Sequence, residues 1–179
     1  PAFCKQGSSH PSAIALPVKS GARQVNMYDP KTGKWTLVDM CASSLHLNFA
    51  PDANNTLWIG NPGTDIVGWL NLKMFDETHD AQKSQGWTPL ILDSNGNGKR
   101  DAYTEPGQPT DPSKDTRIKG GYYGIIPSPA DGSVWGTRLG FPGAIIRLNP
   151  GTDPSKTALA EIYEVPWNNP KVPVQGFSP

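Results

Sequence analysis

The chain has 179 residues, enough for one domain with a core, and its 16 basic and 16 acidic residues cancel to a formal net charge of zero. That balance removes the long-range field that recruits nucleic acid or anionic lipid, and no run approaches the ~20 apolar residues that span a bilayer. Nineteen Gly and nineteen Pro without a three-residue period, beside six Trp and five Tyr, exclude collagen and argue against disorder.

Short aromatic and β-branched runs separated by such turn residues read as all-β. The chain opens on Pro1 rather than Met, so upstream sequence, including any secretory signal, is expected to be missing. Cys4 and Cys41 lie outside any CxxC pair, and a disulfide between them is expected; two buried thiols are the other reading. His10, in polar surroundings, is expected at the surface. Residues 25–30 and 35–39 read as two strands.

Residues 45–49 open a unit that recurs. Leu45-His46-Leu47-Asn48-Phe49 aligns with Tyr122-Tyr123-Gly124-Ile125-Ile126, each followed by a Pro-containing turn. Asn54-Asn55-Thr56-Leu57-Trp58 and Asp131-Gly132-Ser133-Val134-Trp135 then end in tryptophans 77 residues apart. Asn-Asn and Asp-Gly are residues that tolerate positive φ in hairpin turns. Residues 66–71 match 144–149, and a fourth strand follows each, at 87–92 and 159–165. The unit is four short antiparallel strands, which predicts blades of a β-propeller, with a β-sandwich as the alternative.

The phase places the outer half of one blade at 1–44, a full blade at 45–120, another at 121–170, and the start of a further one at 171–179. Two and a half blades cannot close a ring, so a partial propeller is expected, completed by the remainder of the same domain. The second blade carries a long polar insertion at 74–120 around the Trp87 strand, in which 76–83 reads as a short helix and 106–119 as loop.

Within that insertion, Asp93, Asn95, Asn97 and Asp101 occupy positions one, three, five and nine of a calcium-type loop, with Gly98 at six and the Lys99 carbonyl at seven. Alternate residues turn oxygens inward around one ion, which is why the spacing matters. Position twelve is Thr104, so Glu105 closes the shell one residue late, or Asp111 substitutes. The strand at 87–92 stands where an EF-hand would have a helix. A structural calcium ion is expected, the alternative being an Asn/Gly turn that uses these residues for positive φ.

Other candidates are sparse. His46, on the opposite strand face from Leu45, Leu47 and Phe49, reads as a channel-facing base or as a hydrogen-bonded structural histidine. His79 is expected to be exposed. No G-x-S-x-G elbow or triad spacing supports nucleophilic catalysis, and Gly120-Gly121 precedes a strand, unlike a phosphate loop. Asn54-Asn55-Thr56 matches a glycosylation sequon and reads as a plain turn. Trp35, Trp58, Trp69, Trp87 and Trp135 fall in predicted strands and read as packing groups; Trp167, between Pro166 and Asn168, is the better candidate to face a small molecule or glycan.

The hairpin at 49–58 and Val67-Gly68-Trp69-Leu70-Asn71 resemble the repeats of streptogramin (virginiamycin B) lyase-like propellers. The segments 26–37, 83–93 and 128–136 further resemble a family of large bacterial proteins labelled carboxypeptidase regulatory-like domain-containing. That resemblance implies a periplasmic or extracellular protein whose propeller follows an Ig-like domain and a c-type haem segment, with flanking domains as partners. The readings it leaves are a ligand- or partner-binding scaffold, a lyase or hydrolase with His46 as base, and a redox protein whose haem domain lies outside these residues.

Overall fold

The structure, a computed structural model, describes residues 1–19, 23–140 and 143–164. A 3-10 turn at Ala2–Cys4 and helix α1 (Pro11–Ala15) precede a hairpin of β1 (Arg23–Asp29) and β2 (Lys34–Met40). Next come β3 (His46–Phe49), β4 (Thr56–Gly60) and β5 (Val67–Asn71), then helices α2 (Leu72–Thr78) and α3 (Ala81–Ser84), and β6 (Gln85–Thr88). Strands β7 (Ile91–Leu92), β8 (Tyr103–Thr104) and β9 (Asp115–Arg117) are short. They lead to β10 (Ile125–Pro127), β11 (Val134–Arg138), β12 (Ala144–Asn149), helix α4 (Pro154–Thr157) and β13 (Leu159–Glu164).

The fold is all-β, in three sheets that do not close on one another among the described residues. The first is the β1–β2 hairpin. The second is an antiparallel meander in the order β3-β4-β5-β6, and the third runs β10-β11-β12-β13-β7-β9-β8. Its first four strands repeat the meander. β7 then pairs with β13 in parallel, β9 with β7 antiparallel, and β8 with β9 in parallel.

Strand β4 is buried along its whole length because both faces of its sheet are covered. Side chains alternate across a strand. Leu57 and Ile59 therefore point with Leu70 and Trp87 into a core shared with Val25, Val38 and Met40 of the β1–β2 hairpin. Trp58 and Val67 point the other way, into a second core with Ile125, Val134, Ile146 and Leu148. Tyr122 is the wedge between the second and third sheets. A Cβ on Gly60 would stand 3.0 Å from Tyr122, and one on Gly136 would overlap its ring at 2.3 Å, so two glycines make the slot it fills. Burial pushes the Tyr122 phenol far up, and its hydroxyl donates to the Val134 carbonyl at 3.1 Å.

Several expectations need correction. The strand expected at 87–92 is two strands in two sheets. Pro89 has no N–H to continue the β5–β6 ladder, so the chain leaves after Thr88, and Ile91–Leu92 joins the third sheet. The helix expected at 76–83 is two helices broken at His79, which takes a left-handed φ of 52°; Asn71 caps the first and Asp80 the second. The end of the insertion is not all loop, because it supplies β9. The repeat alignment slips by one in its first strand. Asn48 lies opposite Trp58 but Ile126 lies opposite Trp135, since the second turn is one residue shorter. Leu47 therefore corresponds to Ile125, and His46 to Gly124 rather than Tyr123.

The N-terminal segment is structured in a way the residues did not announce. His10 is buried, not exposed: its Nδ1 accepts from Ser12 N at the start of α1, and its Nε2 lies 3.1 Å from the Gln82 and Gln85 carbonyls. An Nδ1 that accepts fixes the proton on Nε2, which donates to those oxygens. The ring stacks on Trp87 at 4.9 Å, and Ser12 Oγ accepts from Trp87 N. This segment covers the outer edge of β6, which otherwise presents unpaired backbone. No helix among the described residues is long and apolar enough to cross a membrane.

Candidate functional site

In the loop that follows β7, the side chains of Asp93, Asn95, Asn97 and Asp101 hydrogen-bond within one turn. The Asp93 carboxylate accepts from the backbone N–H groups of Gly96 at 2.8 Å, Asn97 at 3.2 Å and Gly98 at 2.8 Å. Gly96 and Gly98 take left-handed φ values of 75° and 74°, which allows three successive amides to wrap one carboxylate. Asn95 Oδ1 accepts from Asn97 N, and Asn97 Oδ1 from Lys99 N, which turns both amide NH2 groups towards Asp101. Those donors, Asn97 first, hold the Asp101 carboxyl below the usual carboxylate range.

The proposed outer ligands are placed elsewhere. Glu105 is engaged by Arg117, whose Nε donates to it at 2.8 Å. Asp111 closes its own turn, accepting from the Ser113 hydroxyl and backbone N, which with Lys114 draws its carboxyl down to about 2. Asp115, not singled out by the sequence, is fully buried with one oxygen accepting from Asp101 N at 2.8 Å and the other without a partner. Among the described residues, no three His, Cys, Asp or Glu side chains gather at metal-ligating separation. An ion here would rest on Asp93 and Asp101 with asparagine and backbone oxygens.

Cys4 and Cys41 form a disulfide with Cα atoms 5.4 Å apart, within the usual range. His46 is exposed on β3, at the free edge of its sheet, and its ring meets Tyr123 edge-on at 4.8 Å. His79 is exposed as expected. Trp167 and residues 171–179 lie outside the described residues.

The other tryptophans divide by environment. Trp58 and Trp69 sit together at 5.5 Å on the face turned towards the third sheet, Trp87 is fully buried, and Trp35 is exposed beside Tyr28. Trp135, the repeat partner of Trp58, stacks on Tyr163 at 5.8 Å on the uncovered face of the third sheet. The Arg147 guanidinium lies 5.9 Å over its ring and bridges Asp131 at 2.9 Å and Glu161 at 2.6 Å. The Ser133 hydroxyl, then Ser128 and Arg147, holds the Asp131 carboxyl well below the carboxylate range. A cleft of about 430 Å3 opens between the turn ends of the two meanders, with Trp58, Trp69, Asn54 and Asn71 in its wall.

Two surfaces at opposite ends stand out because they are apolar and bare. One is Leu45, just before β3, and Leu47 and Phe49 on it, with Tyr28, Trp35 and Leu37 on the hairpin; the other is Ile126, Ile145 and Tyr163 on the third sheet. Isolated exposed apolar residues are ordinary, but contiguous sets on flat sheets mark interaction faces. Comparison with protein-family models, with curated proteins and with solved structures finds no match to this chain.

Proposed function

We propose that the hairpin and the two four-stranded meanders are successive blades of a propeller-type scaffold in an exported protein, which binds further blades or a partner through its end faces. The observation that carries this is the pair of bare apolar faces at opposite ends of a stack whose internal interface is of the same kind. Stacked sheets bury both faces of every internal member, and only the terminal faces stay uncovered. The resemblance to streptogramin lyase-like repeats and to exported carboxypeptidase regulatory-like domain-containing proteins agrees with this reading. So does the Cys4–Cys41 bridge, a bond that persists in oxidising compartments.

The test is Ile126→Lys with Ile145→Lys, read by binding of an apolar fluorescent dye and by sedimentation. The chain binds dye or self-associates, and the double variant loses the share due to the third-sheet face while keeping its near-UV circular dichroism. A chain that is monomeric and dye-silent before substitution overturns the scaffold reading.

A structural calcium ion in the loop at 93–101 belongs to the same proposal. It is supported by the oxygens of Asp93, Asn95, Asn97 and Asp101 in one glycine-hinged turn. With two carboxylates, affinity is expected at about 10⁻⁴–10⁻³ M, and the ion would order the insertion rather than activate water. Calorimetric titration with calcium tests it. Heat that disappears in Asp93→Ala is expected, and the absence of heat at ten millimolar calcium refutes the ion.

A further inference from the structure

We infer that the free edge of β1 and the bare side of β3 together form a docking groove for a Trp-bearing antiparallel β-hairpin, of the same type as the β3–β4 hairpin of this chain. The inference rests on the blade reading and names what covers one of its ends.

The argument uses an interface the chain already contains. Leu47 and Phe49 correspond by strand register to Ile125 and Pro127, each pair opposite the same two positions of its partner strand. Ile125 is only 6% exposed and Pro127 is buried. β10 packs against β3 and β4, whose facing side carries Asn48, Trp58 and Gly60. Leu47 and Phe49 are 48% and 52% exposed. The same positions are covered in one sheet by an inner hairpin and bare in the other.

The hairpin β1–β2 covers the rest of that face. Val25, Val38 and Met40 seal Leu57, Ile59 and Leu70, and the cover stops at β1. Between β1 and β3 lies a groove of about 600 Å3, with Val25, Met27, Leu47, Phe49 and Leu57 among its walls. β1 pairs only with β2 among the described residues, so its other edge presents free N–H and C=O groups along the groove. β1 pairs on one edge with the strand that follows it, as do β12 and β5. Both of these carry a Trp strand on the matching edge, β11 and β4 respectively. The vacant edge and the vacant face thus call for one object. Its second strand pairs antiparallel with β1 and its first strand lies over Leu47 and Phe49, an addition by β-augmentation with side-chain pockets for register.

The probe is a synthetic peptide of residues 44–61, added to the full chain while hydrogen exchange is followed at β1. The expected result is slowing of at least tenfold at the alternate β1 amides that do not pair with β2, reversed in Leu47→Asp. It should be absent with a peptide carrying Trp58→Ala and Leu47→Pro. Unchanged exchange at saturating peptide, with the chain folded by near-UV circular dichroism, overturns the inference. So does concentration-dependent protection of the same amides without peptide, which would assign the groove to a second copy. Failure here is separable from failure of the scaffold reading, because that reading is tested at the opposite face, through Ile126 and Ile145.

Discussion

The two four-stranded meanders are built alike and fare differently. In the second sheet, β4 contributes Leu57 and Ile59 to one core and Trp58 to another, so nothing on it reaches solvent freely. In the third sheet, Val134 is buried as Leu57 is, but Trp135 is only half-buried and settles against Tyr163 and Arg147. The chemistry of the outer face follows from its cover. Where a sheet packs above, the partner of the tryptophan at the next strand is Trp69; where none does, it is Arg147, held by two carboxylates. One strand pattern therefore supports either an apolar joint or an aromatic and ionic surface. The residue opposite the tryptophan tells which.

The largest effect expected from that contrast is at the paired tryptophans. Trp58→Ala should cost about 3–5 kcal/mol in urea unfolding, as a large aromatic removed from a closed core does. Trp135→Ala should cost about 1 kcal/mol, the scale of one aromatic pair at a half-open site. Equal losses would break the comparison, since the two faces would then be equally covered.

The disulfide ties the N-terminal segment to the end of β2, beside β6, where Cys41 N donates to Gln85 Oε1. Its 37-residue separation corresponds to about 4 kcal/mol as an upper figure in the chain-entropy treatment. Cys4→Ser with Cys41→Ser should lower the unfolding midpoint and speed hydrogen exchange at β6 more than at β12. Uniform acceleration across both sheets would mean that the bridge does not act locally.

A smaller effect concerns the loop that follows β7 in the third sheet. The Asp101 carboxyl is lowered in the folded chain, so what it contributes is complete above about pH 4 and drains as pH falls through its depressed value. Stabilisation by added calcium should persist below the ordinary carboxylate range, fade only as pH falls through the depressed Asp101 value, and be absent in Asp101→Asn. A calcium response that survives unchanged in Asp101→Asn would place the ion away from Asp101.

The smallest effect is expected from Arg147→Met. Exposed ion pairs are screened, so the midpoint should fall slightly in low salt and not at all in 0.5 M salt. A large loss in high salt would show that the outer face is held as tightly as the inner one.

The repeat was legible because hairpin turns and tryptophans are local signals. Asn55 and Gly132 both take the left-handed φ their turns require, at 48° and 72°. The disulfide partners were readable for the same reason, because a lone pair of cysteines is written in countable positions. The one-residue slip between Leu47 and Ile125 was not readable from matched strings, because a turn shortened by one residue leaves the letters similar and turns every side chain over.

What the sequence determined by itself is therefore the local repertoire: all-β composition, antiparallel hairpins with their turn residues, one cysteine pair and one oxygen-rich loop. Only the tertiary structure decided where those pieces went. His10 reads as a polar surface histidine until α1 lays it on Trp87 between two carbonyls, partners 72 and 75 residues away. Glu105 reads as a closing ligand until Arg117, brought beside it by β8–β9 pairing, claims its carboxylate. Pro89 divides one apolar run between two sheets, yet which sheet receives Leu92 depends on a parallel contact with β13. Turn propensity acts over a few residues of contiguous chain, whereas burial and ion pairing depend on neighbours that only the folded sheets bring together.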